Sequence, residues 1–321
     1  MNVYYKNFSS VLDINRVVNE LEFAFQPIVN TKTGIVIGYE ALLRNYQNIG
    51  FNTLFDLFDY AHSINSLHIL DINLRKKAIN LFIDGFKKGI KLFYNIDNRV
   101  IEDKNYQRGF TKEYLKSLNI DPSLFVFEVS ERHKISDILG LEIIENYRQQ
   151  GFKIALDDFG VGNVCLETLY RLRPDIVKID GFFIKELGED IEKKAIVESL
   201  VKLSNTLNYQ LIAEKVENIN QIYELDDIGI NLVQGYYIAK PEFITSFKDK
   251  ISLDFSLKRG THSNLKEEII KKVYKVDPIR INDEVSYFIN VLKNLDVDYL
   301  PVVNNNNIPV YLINLKKYIK P

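Results

Sequence analysis

Only five residues, Asn30 and then Thr31-Lys32-Thr33-Gly34, separate two apolar runs at 23–29 and 35–43, and that spacing dictates how the fold begins. Parallel neighbours need a crossover of a dozen or more residues, so these two runs must form a hairpin. Six further runs follow at 91–96, 124–129, 153–156, 175–179, 210–213 and 232–238. Most are β-branched or aromatic without clean polar alternation, as expected of strands buried on both faces. Helical patterns at 66–86, 136–150 and 191–207 lie between them, with Ser136 as an N-cap and Gly151 as a left-handed C-terminal stop. Eight strands alternating with helices predict an α/β fold, a modified TIM (β/α)8 barrel in which the hairpin makes one strand antiparallel.

Run after run ends on an oxygen donor: Glu40 after VIGY, Asn95 after LFY, Glu128 after FVF, and Asp157-Asp158 after KIAL. In a barrel of this kind the C-terminal strand ends converge on one polar mouth, where the chemistry sits. Each acid taken alone also suits a helix cap or a surface ion pair; as an ordered set they suit a metal site. Mg2+ and Mn2+ prefer such hard ligands. Two ions roughly 3.5–4 Å apart would clamp a phosphodiester and acidify water. The adjacent Asp157 and Asp158 can serve two metals, or one metal and one water. Lys178 and Asp180, in DIVKID, lie at the sixth run, Glu214 and Glu217, in LIAEKVE, follow the seventh, and Gln234 stands in the eighth before Gly235. Lys178 either snorkels to solvent or faces the carboxylates, where it would orient water or neutralise a phosphate oxygen. Gln234 alone also suits an ordinary buried amide, and Gly235 permits close backbone approach.

Composition excludes several classes. A net charge of −2 gives no reason to expect a nucleic-acid polymer or an anionic membrane as partner. Cys165 is the only cysteine, and the four histidines contain no i, i+4 pair, which argues against disulfides and a zinc hydrolase. No 18-residue apolar run occurs near the N-terminus, so the chain is expected to be soluble and cytoplasmic. The organisation expected is a lead helix within 1–20, a barrel over 21–250, a linker at 259–261 and a small α/β segment over 265–321. The Asn304-Asn305-Asn306-Asn307 run reads as a turn.

YEALLR, FYNID, FEVSE, DDFGVGN, DIVKID, IAEKVE and VQGYYIAKP, in that order, resemble the EAL-domain cyclic-di-GMP phosphodiesterases. The resemblance spans about residues 21–241. It implies Mg2+- or Mn2+-dependent hydrolysis of cyclic di-GMP to linear pGpG, commonly in homodimers. It assigns Glu40, Asn95, Glu128, Asp157, Asp158 and Gln234 to the metal site, and Lys178 and Glu214 to the catalytic water. Glu131 would steady the loop after the aspartate pair. Gln26 and Arg44, and with them Asp180 and Glu217, fall on the substrate side. Lys215 stands where the family usually has glycine, and Val164-Cys165, Asp97 and Ser130 also depart from the common pattern. A catalytically silent cyclic-di-GMP receptor, or a barrel acting on another phosphoester, is compatible with the same residues. The tail resembles one CBS repeat, which implies pairing with a second copy and a nucleotide or other regulatory ligand.

Overall fold

A computed structural model describes residues 13–85, 89–101, 108–130, 139–161, 166–243, 279–280, 299–304 and 309–314. Glu131, Ser136, Cys165 and most of the DDFGVGN loop beyond Val161 lie outside the described residues. The chain divides into two units, Met1–Leu253 and Asp254–Pro321.

The first unit is a closed barrel of β1 (Glu22–Asn30), β2 (Val36–Arg44), β3 (Lys91–Ile96), β4 (Phe125–Val129), β5 (Lys153–Phe159), β6 (Ile176–Ile179), β7 (Gln210–Ala213) and β8 (Leu232–Val233). β2 to β8 are parallel neighbours in chain order, and β1 closes the ring antiparallel to both β2 and β8. The hairpin expectation is therefore met. Its turn ends on Gly34 at φ 69, where a left-handed backbone favours glycine. A further two-residue strand, β9 (Glu242–Phe243), pairs with β1 and had no distinct signal in the sequence.

Helices wrap the barrel: α1 (Ile14–Glu20), α2 (Leu54–Ser63), α3 (Leu67–Gly85), α4 (Asn98–Ile101), α5 (Phe110–Ser117), α6 (Leu139–Gln149), α7 (Leu166–Leu172), α8 (Gly181–Ile184), α9 (Ile191–Leu207) and α10 (Ile219–Ile228). Gly151, at φ 96, lies just past the end of α6 as the sequence predicts. The eighth strand is shorter than expected, two residues rather than seven, because the chain turns at Gly235. A Cβ on Gly235 would sit 2.1 Å from the Val216 carbonyl oxygen, so the close approach there needs glycine. None of the described helices is long and apolar enough to cross a membrane.

Barrel packing sets the position of the mouth. Ile28, Phe93, Val126, Ala155, Ile176 and Ile212 form one buried layer, with Leu232 packed against it. Gly38 belongs to the same level, since a Cβ there would lie 2.5 Å from the Phe93 ring. Side chains on a strand return to the same face every second residue. The next level up on the parallel strands is thus Glu40, Asn95, Glu128, Asp157, Lys178, Glu214 and Gln234. On β1, which runs the other way, it is Gln26, two residues before Ile28. The polar mouth is the layer directly above an aliphatic one.

In the second unit, β10 (Ile279–Arg280) lies parallel to β11 (Tyr299–Val303), and β12 (Pro309–Asn314) returns antiparallel to β11. β11 coincides with an apolar stretch at 299–303. Two other apolar stretches of the segment expected over 265–321, at 269–276 and 285–295, lie outside the described residues.

Candidate active site

Lys178 sits at the centre of the polar layer, fully buried, so it does not snorkel. Its ammonium is 2.7 Å from Glu128 Oε1, 2.7 Å from Glu214 Oε1, 3.1 Å from Asp157 Oδ1 and 3.2 Å from Glu40 Oε2. The amides fill the gaps. Asn95 Nδ2 donates to Glu40 Oε1 at 2.8 Å and Glu128 Oε2 at 3.0 Å. Gln234 Nε2 donates to Glu40 Oε2 at 2.6 Å and Gln26 Oε1 at 3.2 Å, and Gln26 Nε2 donates to the Ala239 carbonyl at 3.0 Å.

One ammonium cannot balance four carboxylates, and the proton affinities divide accordingly. Burial pushes Glu128 well above the usual carboxylate range, and the Glu40 charge adds to it. Burial likewise raises Asp157, and raises Glu214 to about 8, in both cases against the pull of Lys178. Glu40 goes the other way: burial would raise it, but Lys178 and the donors of Gln234 and Asn95 outweigh burial and hold it low. Burial also works against the charge of Lys178, and Asp157, Glu128, Glu214 and Glu40 together lift it well above the lysine range.

Asp157 and Asp158 are adjacent, yet both reach the mouth. Leu156 pairs with Val177 and Phe159 with Ile179, so the two aspartates oppose the single residue Lys178 in a β-bulge. Asp158 takes φ 50, and its side chain is 48% exposed where that of Asp157 is 12%. Carboxylate oxygens of Asp157, Asp158 and Glu214 all lie within 4.8 Å of one another, a spacing a metal ion can bridge. Glu128 Oε1 and Asp157 Oδ1 lie against the Lys178 ammonium, and the buried Gln234 Oε1 accepts no hydrogen bond. Carboxylate and amide oxygens in excess of one ammonium, beside an acidic triad, are the donor set that Mg2+ and Mn2+ select, so the residues present fit such ions.

A cavity of about 680 Å3 opens onto this layer, within the range of small-ligand sites. Glu40, Arg44, Asn95, Asp157 and Asp158 form its polar side. Leu54, Phe55 and Phe58 of α2 supply an apolar wall that the sequence reading missed. The signal was there: Thr53 and Asp56 form a capping box that starts α2 at Leu54, facing this triplet together. Asp97 also lines the cavity and is held by Arg99 at 2.7 Å, which reaches on to Asp59 of α2 at 2.8 Å.

Other predicted residues lie apart from the lysine cluster. Arg44 lines the cavity with Nη1 donating to the Leu43 carbonyl at 2.9 Å. Asp180 caps α8 by accepting the Phe182 N–H at 2.7 Å, and its other oxygen takes the Lys215 ammonium. Glu217 is exposed, and its backbone N–H donates to Gln221 at 2.7 Å. Lys215 itself holds φ 55, a conformation costing a non-glycine residue about 1–2 kcal/mol.

The EAL domain family model matches residues 13–241. The chain belongs to the EAL domain family. It is 28% identical over 252 residues to the probable cyclic di-GMP phosphodiesterase PdeD of Escherichia coli, covering 76% of this chain and 46% of PdeD. It therefore spans less than half the length of that relative. Among solved structures, a standalone EAL protein from Vibrio cholerae, in its c-di-GMP-bound form, is 32% identical with a TM-score of 0.64, covering 74% of this chain and 97% of that one. The calcium and cyclic-di-GMP complex of Klebsiella pneumoniae BlrP1 is 26% identical with a TM-score of 0.64, covering 72% of this chain and 58% of that one. The EAL domain of this chain shares their barrel fold.

Proposed function

We propose that this chain hydrolyses cyclic di-GMP to linear pGpG in the presence of Mg2+ or Mn2+. The observation that carries the proposal is the crowding of four carboxyl groups around the single ammonium of Lys178 beneath the cavity. Glu40, Asn95, Glu128, Asp157 and Asp158, with Gln234 supporting Glu40, would hold two divalent ions. When bound, such ions supply Lewis-acid polarisation of a phosphate oxygen and acidify water.

The remaining work falls to the side chains. Lys178, fixed by four carboxylates, keeps its charge and would orient the attacking water and offset charge on the phosphoryl group once ions engage those carboxylates. Glu214 accepts a proton from that water through Oε2, its Oε1 being tied to Lys178. The water oxygen bonds to phosphorus as one P–O ester bond breaks, and the departing sugar oxygen takes a proton from solvent while Glu214 later returns its own to solvent. Arg44, at the cavity rim, suits a phosphate through its planar donors. Phe55 and Phe58 offer aromatic faces to a purine. Glu131 is assigned to steadying the loop after Asp158 on the resemblance alone.

Incubating the purified chain with cyclic di-GMP and Mn2+, then resolving nucleotides by chromatography, tests this reading. Appearance of pGpG is the expected outcome. Binding without pGpG would favour the second reading, a silent receptor, to which the Lys215 ammonium beside Asp158 lends support. Further parts of the proposal are a cytoplasmic homodimer and a CBS-like regulatory segment. Leu166 and Tyr170 of α7, 64% and 73% exposed, support the dimer, and the mixed β10–β12 sheet supports the CBS-like reading. Light scattering and nucleotide titration test these.

A further inference from the structure

Lys215 is placed by three independent features. Its backbone is left-handed at φ 55, turning the side chain back across the β7 end. Its stem lies on Gly181 at the start of α8, where a Cβ would fall 2.6 Å from Lys215 Cβ. Its ammonium is bonded to the buried Asp180 and reaches Asp158 Oδ1 at 3.5 Å. Asp180 anchors the charge, and Asp158 is the member of the acidic triad that faces outward. Lys178 neutralises the triad from within the barrel; Lys215 does so from the solvent side.

Resting on the metal reading above, we propose that Lys215 is a positioning residue of the cation site, whose ammonium competes with a divalent ion at Asp158. A divalent ion taking Asp158 as a ligand must displace a tethered monovalent charge or sit beside it. Either way its binding is weakened by a repulsion that falls off slowly in a half-buried site. An ion held by the inner donors Glu40, Asn95 and Glu128 escapes most of this penalty. An ion at Asp158 is therefore tuned by Lys215, as an ion at Glu40 and Glu128 is by Lys178.

Mn2+ binding to the full chain without nucleotide, followed by the electron paramagnetic resonance signal of free Mn2+, reads this directly. Lys215→Gly suits the left-handed backbone and removes the charge. Lys215→Met removes the charge alone, and Lys215→Arg keeps it. Glycine and methionine should both tighten one Mn2+ by about tenfold or more, and arginine should match the wild type. Equal affinity in all four proteins overturns the proposal. Tightening in Lys215→Gly alone overturns it too, since the cause is then backbone relaxation. If no protein in the set, wild type included, takes up Mn2+, the metal reading falls and this proposal with it.

Discussion

On the outer side of the barrel wall, Arg75 and Asp71 of α3 form a fully buried ion pair, one charge against one. Thr111 accepts from Arg75 at 2.7 Å, the Tyr94 hydroxyl donates to Asp71 at 3.1 Å, and the guanidinium lies over the Phe127 ring at 4.9 Å. Inside the barrel, Lys178 faces four carboxylates. Burial raises Asp71 despite Arg75, but that cluster is closed, with hydrogen bonds in place of further charge. The inner cluster is open: its electrostatics are completed only by protons or cations from solution. A buried charge pair of the first sort holds helix to barrel, whereas an unbalanced cluster is poised to bind.

The contrast is broken most sharply through activity. Glu40→Ala should reduce hydrolysis by about a thousandfold or more while the barrel stays folded, as circular dichroism would verify. Retained turnover would mean that the ligand assignment is wrong. Next in size, Arg75→Met and Lys178→Met should each destabilise by about 3–5 kcal/mol, the usual consequence of stranding a buried partner. They should differ in rescue. Mn2+ should restore much of the stability lost in Lys178→Met, because carboxylates freed of the ammonium take up the ion, and none of that lost in Arg75→Met. Equal responses in thermal melts would erase the distinction drawn between the two clusters.

Metal and pH probe the open cluster more gently. At 100-fold excess over Kd, one bound ion stabilises by about 2.7 kcal/mol, so Mn2+ should raise Tm and chelator should lower it. The sign of the pH dependence follows from Glu214, whose folded pKa of about 8 exceeds the ordinary 4.5. Between these values the unfolded chain has lost a proton that the folded chain keeps. Stability of the metal-free protein should therefore be greatest below this window and fall as pH rises through it. Glu128, shifted in the same direction, steepens the fall. Saturating Mn2+ should flatten it, since the ion replaces the protons. Urea titrations at intervals from pH 5 to 8, with Mn2+ and with chelator, measure both slopes; a chelated protein that gains stability across that range would contradict the site's electrostatics.

Much of this was legible in the residues. Period-two alternation carries each oxygen donor to the level above a buried apolar layer, so a strand ending in a carboxylate already announces the mouth. The four-residue TKTG turn fixes the antiparallel β1, and Gly235 signals close approach. Less legible were features that depend on register between strands. The bulge that turns both Asp157 and Asp158 toward the mouth exists because two residues of β5 face one of β6, which no local pattern encodes. Glu217 looks equivalent to Glu214 in LIAEKVE, but an odd spacing and the left-handed turn at Lys215 leave it exposed, bound through its backbone to α10. Asp180 looks like a second mouth acid in DIVKID, yet capping α8 and pairing with Lys215 occupy it. The 232–238 run reads as one strand because it is apolar, and it ends early because Gly235 packs on Val216.

The smallest expected effect comes from the opposite end of the barrel, where Lys153, the first residue of β5, and Asp175, just before β6, pair at 2.7 Å. Asp175 also accepts the Ile154 N–H at 3.0 Å, so it stitches two strands together at their N-terminal side. Here a lysine and a carboxylate meet as they do at the mouth, but the lysine is 45% exposed and the charges match one to one. Solvent screens the ion pair, leaving the backbone hydrogen bond as the main contribution. Asp175→Asn keeps an acceptor and should cost about 1 kcal/mol or less, with hydrolysis unchanged. A large loss of turnover in that variant would mean that the bottom of the barrel feeds into the mouth. Separation of stability from chemistry along the strand axis would then fail for this chain.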